Sequence, residues 1–105
     1  MQVAEHEQVL VITFQAEHYH ELWGILESYM AAGRRGFVLE CSKVRFLNSL
    51  SIAAIITARN KLAQNGAKLV LAGLTDHVKS VFRILKLERI FALDMQVEQA
   101  VAAAK

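Results

Sequence analysis

Three short apolar runs recur along this chain, and each is followed by a segment with the spacing of a helix. The runs cover residues 9–14, 37–41 and 68–73. Strands that are apolar at almost every position are typical of a parallel sheet covered by helices on both faces. Because right-handed crossovers join parallel neighbours, this alternation predicts an α/β layer structure.

The remaining segments complete this architecture. Residues 2–4 are expected to pair beside the first run, and residues 90–92 are predicted as a short edge strand. In the helix that begins at Thr75 or Asp76, an inward stripe is expected from Val78, Val81, Phe82 and Leu85. The other helices are predicted over residues 16–32, from Asn48 to Asn65, and over residues 96–104.

The bulk properties favour one small globular unit. The chain has 105 residues, of which 54% are apolar, and it lacks proline, so a single domain over residues 1–105 is expected. A formal net charge of only +2, with acids and bases interspersed, argues against a nucleic-acid partner.

Cellular location is inferred from the cysteine content and from the apolar runs. The single cysteine, Cys41, ends an apolar strand and is expected to be a buried, inert thiol in a reducing compartment. No apolar run reaches the length of a membrane span, and the acidic N-terminus is unlike a signal peptide. We therefore expect a cytoplasmic protein without direct membrane insertion.

A turn between strand and helix holds the candidate functional residue, Ser49. The turn follows the run at residues 37–41, at the carboxyl end of a predicted strand, where α/β sheets gather functional groups. The first turn of a helix presents free N–H groups and a positive dipole end, so it favours a phosphate. The alternative interpretation is that Asn48 or Ser49 only caps the helix.

No catalytic or metal-binding constellation accompanies Ser49. No histidine lies near it in sequence to act as a base. The chain's four histidines are interpreted as solvated surface residues because His18-x-His20 lacks a third ligand at helical spacing. We predict no enzymatic activity, no metal and no cofactor; an enzyme or small-ligand carrier would need a large polar pocket.

Two segments resemble the STAS domain family, named for sulfate transporters and anti-sigma factor antagonists. The first is FVLECSKVRFLNSLSIAAI, which is similar to the family's apolar strand, turn and Asp-Ser-Ser-Gly-Leu helix start. The second is KLVLAG followed by VFRILKLERIF, whose end resembles the family phrase Leu-Asp-Arg-Leu-Phe. The resemblance implies a STAS-like (SpoIIAA-like) fold, with a mixed central sheet of about four to five strands and about four helices.

The resemblance also implies a function in transcription regulation. In anti-sigma factor antagonists of this family, the serine that Ser49 matches is phosphorylated by the anti-sigma factor, a GHKL-type serine kinase. The unphosphorylated antagonist binds that kinase and frees the sigma factor. The phosphorylated form releases the kinase, and a phosphatase returns it to the unphosphorylated state. The predicted partner-binding residues are Asn48, Ser49, Leu50, Ser51, Ala53, Ala54 and Thr57.

Three residues depart from the family motif. Asn48 replaces Asp, Leu50 replaces a polar residue, and Ser51 replaces Gly. The alternative hypothesis is therefore an unphosphorylated STAS adaptor subunit that supports the ATPase of a phospholipid-transport ABC system. A second surface feature is the basic face of Lys79, Arg83 and Lys86, which is either simply solvated or attracts an acidic partner.

Overall fold

A mixed four-stranded sheet forms the centre of the protein, of which a computed structural model describes residues 1–105. Strand β1 (Val3–His6) is antiparallel to β2 (Val9–Thr13). Strands β2, β3 (Gly36–Glu40) and β4 (Lys68–Ala72) are parallel and adjacent in that order. The predicted α/β class and mixed sheet are confirmed, with four strands.

Four α-helices and two short 3-10 helices join the strands. The helix predicted over residues 16–32 is instead a 3-10 segment followed by an α-helix, and the 3-10 segment contains a kink at His18, where φ −111° and ψ 28° are not helical. The α-helices are α1 (Leu22–Ala31), α2 (Ser49–Gln64), α3 (Asp76–Ile84) and α4 (Val97–Ala104), and the 3-10 helices are Ala16–Glu21 and Leu87–Arg89.

Helices cover the sheet on both faces, which explains why its strands are apolar at consecutive positions. Leu10 and Ile12 of β2 belong to the larger core, together with residues of α1, α2 and α3. Val9 and Val11 point to the opposite face and form a second core with Ala100 and other residues of α4. The first four side chains of both β2 and β3 are therefore buried whichever way they point.

The prediction of an edge strand over residues 90–92 is wrong. Instead, the N–H groups of Ile90 and Phe91 both donate to the carbonyl of Leu87, at 3.0 and 2.9 Å, so the backbone turns locally. Phe91 is buried against Phe82, with ring centroids 6.1 Å apart. Burial of this aromatic ring in the core, rather than pairing of its backbone, accounts for the apolar pattern of the segment.

The inward stripe predicted for α3 ends earlier than expected. Val78 and Phe82 are buried, but Leu85 is 50% exposed. The helix ends at Ile84, and Lys86 adopts the left-handed conformation with φ 59°, which turns the chain away from the helix axis. Leu85 is consequently the C-cap residue, at the exposed end of the predicted stripe.

Cys41 is buried, as its position in the sequence indicated. Its side chain is 2% exposed, and burial raises the pKa of its thiol far above the ordinary value. The thiolate, which is the reactive form, is therefore strongly disfavoured. Among the helices, none combines the length and the apolar character required to span a membrane.

Candidate functional site

Ser49 is the first residue of α2 and lies at the carboxyl edge of the parallel strands. At that edge, the Phe14 N–H donates to the Glu40 carbonyl and the Cys41 N–H donates to the Ala72 carbonyl, both at 2.9 Å. The turn that leads to α2 starts directly after this point. The predicted position of Ser49, at the end of the sheet where parallel α/β folds place functional groups, is therefore confirmed.

A reciprocal pair of residues caps α2, and Ser49 is not one of them. Asn48 Oδ1 accepts a hydrogen bond from the Ser51 N–H at 2.8 Å, and Ser51 Oγ accepts one from the Asn48 N–H at 3.1 Å. Ser51 Oγ also lies 3.0 Å from the Asn48 carbonyl, to which it can donate. The hydroxyl of Ser49 takes no part in these bonds and is exposed to solvent. The cap is Asn48.

Ser51 differs from the other residues of the predicted partner-binding set. It is 0% exposed, so its side chain is not available for a contact with another protein. We assign it instead to the capping pair that starts the helix. Its backbone does not have a positive φ, so the replacement of the family's glycine by serine introduces no strain at this position.

The other predicted contact residues form one accessible surface. Asn48, Ser49, Leu50, Ala53 and Thr57 are exposed, and Ala54 is half-buried. The spacing of Leu50, Ala53, Ala54 and Thr57 by three and four residues places them on one face of α2. We call these six residues, with Phe46, the acceptor surface.

Phe46 was not among the predicted site residues. Its side chain is 75% exposed and meets the ring of His77, at the start of α3, edge to face with centroids 5.7 Å apart. Leu50 on the other side of Ser49 is 58% exposed. Large apolar side chains at this exposure are typical of protein-binding surfaces, and an aromatic residue within a polar turn was the available sequence signal.

Positive charge surrounds the turn. A cavity of about 630 Å³ lies beside it, between the loop after β2 and the turn before α2. Lys43 and Arg45 line this cavity, and neither forms an ion pair; Glu17 is the acidic residue of the lining. The acceptor surface therefore combines exposed apolar groups with nearby cations.

A larger cavity lies elsewhere and contains no catalytic arrangement. It has a volume of about 820 Å³ and lies at the amino edge of the parallel strands, beside the β1–β2 turn. Its acidic side chains are already paired, Glu5 with Arg34 and Glu7 with Lys105, each at 2.8 Å. No serine, cysteine or histidine lines it. All four histidines of the chain are exposed.

Replacement of Asn48 by Ala should destabilise the protein by about 1 kcal/mol, and by at most about 2, because the helix start loses the oxygen that accepts from Ser51. Chemical unfolding of both proteins measures this difference. Asn60→Ala is the control: Asn60 lies exposed within the same helix, so its replacement should leave stability unchanged or slightly higher, since alanine has the higher helix propensity. Equal stability of the Asn48 variant and the wild type would contradict the capping assignment.

The comparison with known proteins agrees with this geometry. The family model described as STAS domain matches residues 1–100. Comparison with curated protein sequences gives no match. The solved structures that are similar to the chain include three with TM-scores above 0.7.

The first of these structures is a Thermotoga maritima protein provisionally described as an anti-sigma factor antagonist. Its TM-score is 0.84 and its sequence identity is 17%, and the match covers 98% of this chain and 92% of that one. The second is the Bacillus cell fate determinant SpoIIAA in its phosphorylated form, with TM-score 0.72, identity 14%, and coverage of 99% and 98%. The third is an anti-sigma-factor antagonist (STAS) domain protein from Planctomyces limnophilus, with TM-score 0.73, identity 18%, and coverage of 98% and 96%. At these identities the likeness shows the fold.

Proposed function

Because this chain belongs to the STAS domain family, we propose that it is a regulatory protein of the anti-sigma factor antagonist type. Its partner in this proposal is an anti-sigma factor that is also a GHKL-type serine kinase, and Ser49 is the residue that this kinase phosphorylates. A phosphatase reverses the modification. The protein acts by binding and not by catalysis, in the cytoplasm, and the domain extends over the whole of residues 1–105.

One observation carries this proposal: Asn48 and Ser51 satisfy the helix cap between them and leave the Ser49 hydroxyl exposed. A serine used as the cap would have its oxygen engaged by the backbone, whereas this hydroxyl is accessible to a kinase. Phe46 and Leu50 flank it with exposed apolar side chains, so the same surface suits docking of a partner.

The physical effect of a phosphate on this surface has two parts. Within the protein, a phosphate at the start of α2 interacts favourably with the free N–H groups and the dipole of the helix. At the interface, the same phosphate places close to two negative charges between Phe46 and Leu50, where docking requires removal of water. Phosphorylation therefore favours the free protein over the complex.

A second candidate is a STAS adaptor subunit that supports an ABC transporter ATPase without phosphorylation. The observation that favours it is the identity of the cap. Asn48 is neutral, and its amide completes the turn without any phosphate or carboxylate beside Ser49. An adaptor could use the exposed apolar residues of the acceptor surface for docking and would leave Ser49 unmodified.

The docking surface can be tested with two matched variants of α2. Ala53 and Ala63 are both exposed alanines of this helix, but only Ala53 belongs to the acceptor surface, and the two are about 15 Å apart along the helix axis. We expect that the tagged wild-type chain and Ala63→Glu capture a GHKL-type kinase from native cells, and that Ala53→Glu captures at least about tenfold less.

The two candidate functions give different results in this capture experiment. An ABC transporter ATPase in place of the kinase, again lost with Ala53→Glu, would support the adaptor hypothesis. Capture of either partner at equal yield by both variants would contradict the position of the interface. Thermal unfolding of the variants serves as the folding control. Glutamate at these exposed helical sites should lower the melting temperature only slightly, and more at Ala63, in the last turn of α2, than at Ala53.

A further inference from the structure

A second exposed apolar patch lies at the end of α3. The protein has five large apolar side chains at high exposure, and three of them fall in this short segment: Ile84 at 79%, Leu85 at 50% and Ile90 at 36%. The other two, Phe46 and Leu50, belong to the acceptor surface. We call Ile84, Leu85 and Ile90 the tip patch. Clustering of this kind marks an interaction surface more often than a chance distribution does.

The tip patch is separate from the acceptor surface. His77, which contacts Phe46, lies in the first turn of α3, whereas Ile84 is the last residue of the same helix, about 10 Å further along its axis. The segment then turns back, and the Gly73 N–H donates to the Met95 carbonyl at 3.0 Å beside the start of α3. The patch therefore lies in the turn at the C-terminal end of α3.

The shape of this turn is fixed by the core beneath it. Phe82 and Phe91 are buried on either side of the patch and contact each other. Lys86 has φ 59°, and the Ile90 N–H donates to the Leu87 carbonyl at 3.0 Å, so the backbone forms a compact turn. Ile84 and Leu85 are thus exposed to solvent on an ordered turn.

Positive charge is concentrated around the tip patch. Between Lys79 and Asp94 the sequence has four basic residues and two acidic ones, an excess equal to the formal net charge of +2 of the whole chain. Asp94 is paired with Lys79 at 3.0 Å and lies 3.8 Å from Arg83, and the pairing with Lys79 holds the pKa of its carboxyl below the usual range. Lys86 and Arg89, the two bases on the tip itself, form no ion pair; Glu88 is the acidic residue between them.

In contrast to the expectation from the sequence of no direct membrane insertion, we propose that the tip patch docks the protein on an anionic lipid surface, with Ile84 and Leu85 inserted among the headgroups and Lys86 and Arg89 against lipid phosphates. Exposed apolar residues beside unpaired cations are the combination by which peripheral proteins bind such membranes. The inference does not depend on the proposed function, because it concerns other residues and another ligand.

Two other occupants fit the patch less well. In contacts between two copies, the basic tips would face each other, and like charges repel. A protein partner needs a contact of about 800 Å² on each side, whereas the tip patch consists of three exposed apolar side chains within seven residues. A lipid surface can deform around a small patch and needs no matching pocket.

The experiment is co-sedimentation of the purified chain with vesicles. At low salt, we expect binding to vesicles of phosphatidylglycerol and phosphatidylcholine in equal parts, and none to phosphatidylcholine alone. Higher salt should weaken the binding. Ile84→Glu and the double variant Lys86→Gln with Arg89→Gln should each lower the vesicle partition coefficient by at least about tenfold. Leu50→Glu, an equivalent change on the acceptor surface, should leave it unchanged.

Several results would overturn the proposal. These are absence of binding to the anionic vesicles at low salt, equal binding to both vesicle types, or full binding by Ile84→Glu. A concentration-dependent dimer that Ile84→Glu dissociates, without vesicle binding, would assign the patch to a second copy. Because Ile84 is 79% exposed, its variant should fold, and an unchanged circular dichroism spectrum establishes this.

Discussion

Replacement of Ser49 by Asp should lower affinity for the kinase partner by about tenfold or more, which corresponds to about 1.4 kcal/mol. The physical reason is that the carboxylate lies between Phe46 and Leu50, which are exposed in the free protein, so docking must remove its water. Titration calorimetry with the captured kinase measures the effect. Ser49→Asn is the matched control because it has nearly the same shape as Asp without the charge, and it should retain most of the affinity.

The same variant has an opposite effect on stability, which separates lost docking from lost folding. An acidic side chain at the first position of α2 interacts favourably with the helix dipole, so Ser49→Asp should unfold at the same or a higher denaturant concentration than the wild type. Unchanged affinity of Ser49→Asp would contradict the phosphoswitch. Equal loss of affinity in Ser49→Asn would show that shape, and not charge, is recognised.

Replacement of Phe82 by Ala should destabilise the protein by about 3–5 kcal/mol. Phe82 is 1% exposed and packs against Phe91. Removal of its ring therefore leaves a cavity between α3 and the segment that contains Phe91. Small domains are typically stable by about 5–15 kcal/mol, and the variant should therefore lose a large share of its total stability. Urea unfolding followed by circular dichroism measures the change.

Ile84→Ala provides the control for Phe82→Ala within the same helix. Ile84 is 79% exposed, so truncation of its side chain should change stability by less than about 0.5 kcal/mol. A cost of less than about 1 kcal/mol for Phe82→Ala would contradict the assignment of this ring to the main core.

Most of the fold could be predicted from the sequence because its strands are buried on both faces. Continuous apolar runs such as residues 9–12 predict buried strands, and the helix predicted to end at residue 32 does end there within one residue, before Gly33 with φ 93°. The strand predicted over residues 90–92 failed because a short apolar run does not distinguish a strand from a turn whose aromatic ring enters the core. The face of the sheet that α4 covers was not predictable, since its apolar stripe fits either side.

The candidate site was predictable in position but not in detail. The strand, turn and helix signals placed Ser49 correctly at the carboxyl edge of the sheet. They did not decide whether Asn48 or Ser49 caps α2, because both residue types cap helices equally well. The burial of Ser51 and the exposure of Phe46 depend on how α2 and α3 pack around the turn, which local spacing does not encode.

The most direct measurement is mass spectrometry of the Ser49 peptide from the protein purified from native cells, together with its co-purifying proteins. The antagonist proposal predicts a fraction of molecules with one phosphate on Ser49, and a GHKL-type kinase bound to the unmodified fraction. Ser49 without phosphate in every growth condition, with an ABC transporter ATPase bound instead, would contradict the phosphoswitch. In that case, Asn48 and Ser51 would start a helix whose exposed face serves an adaptor.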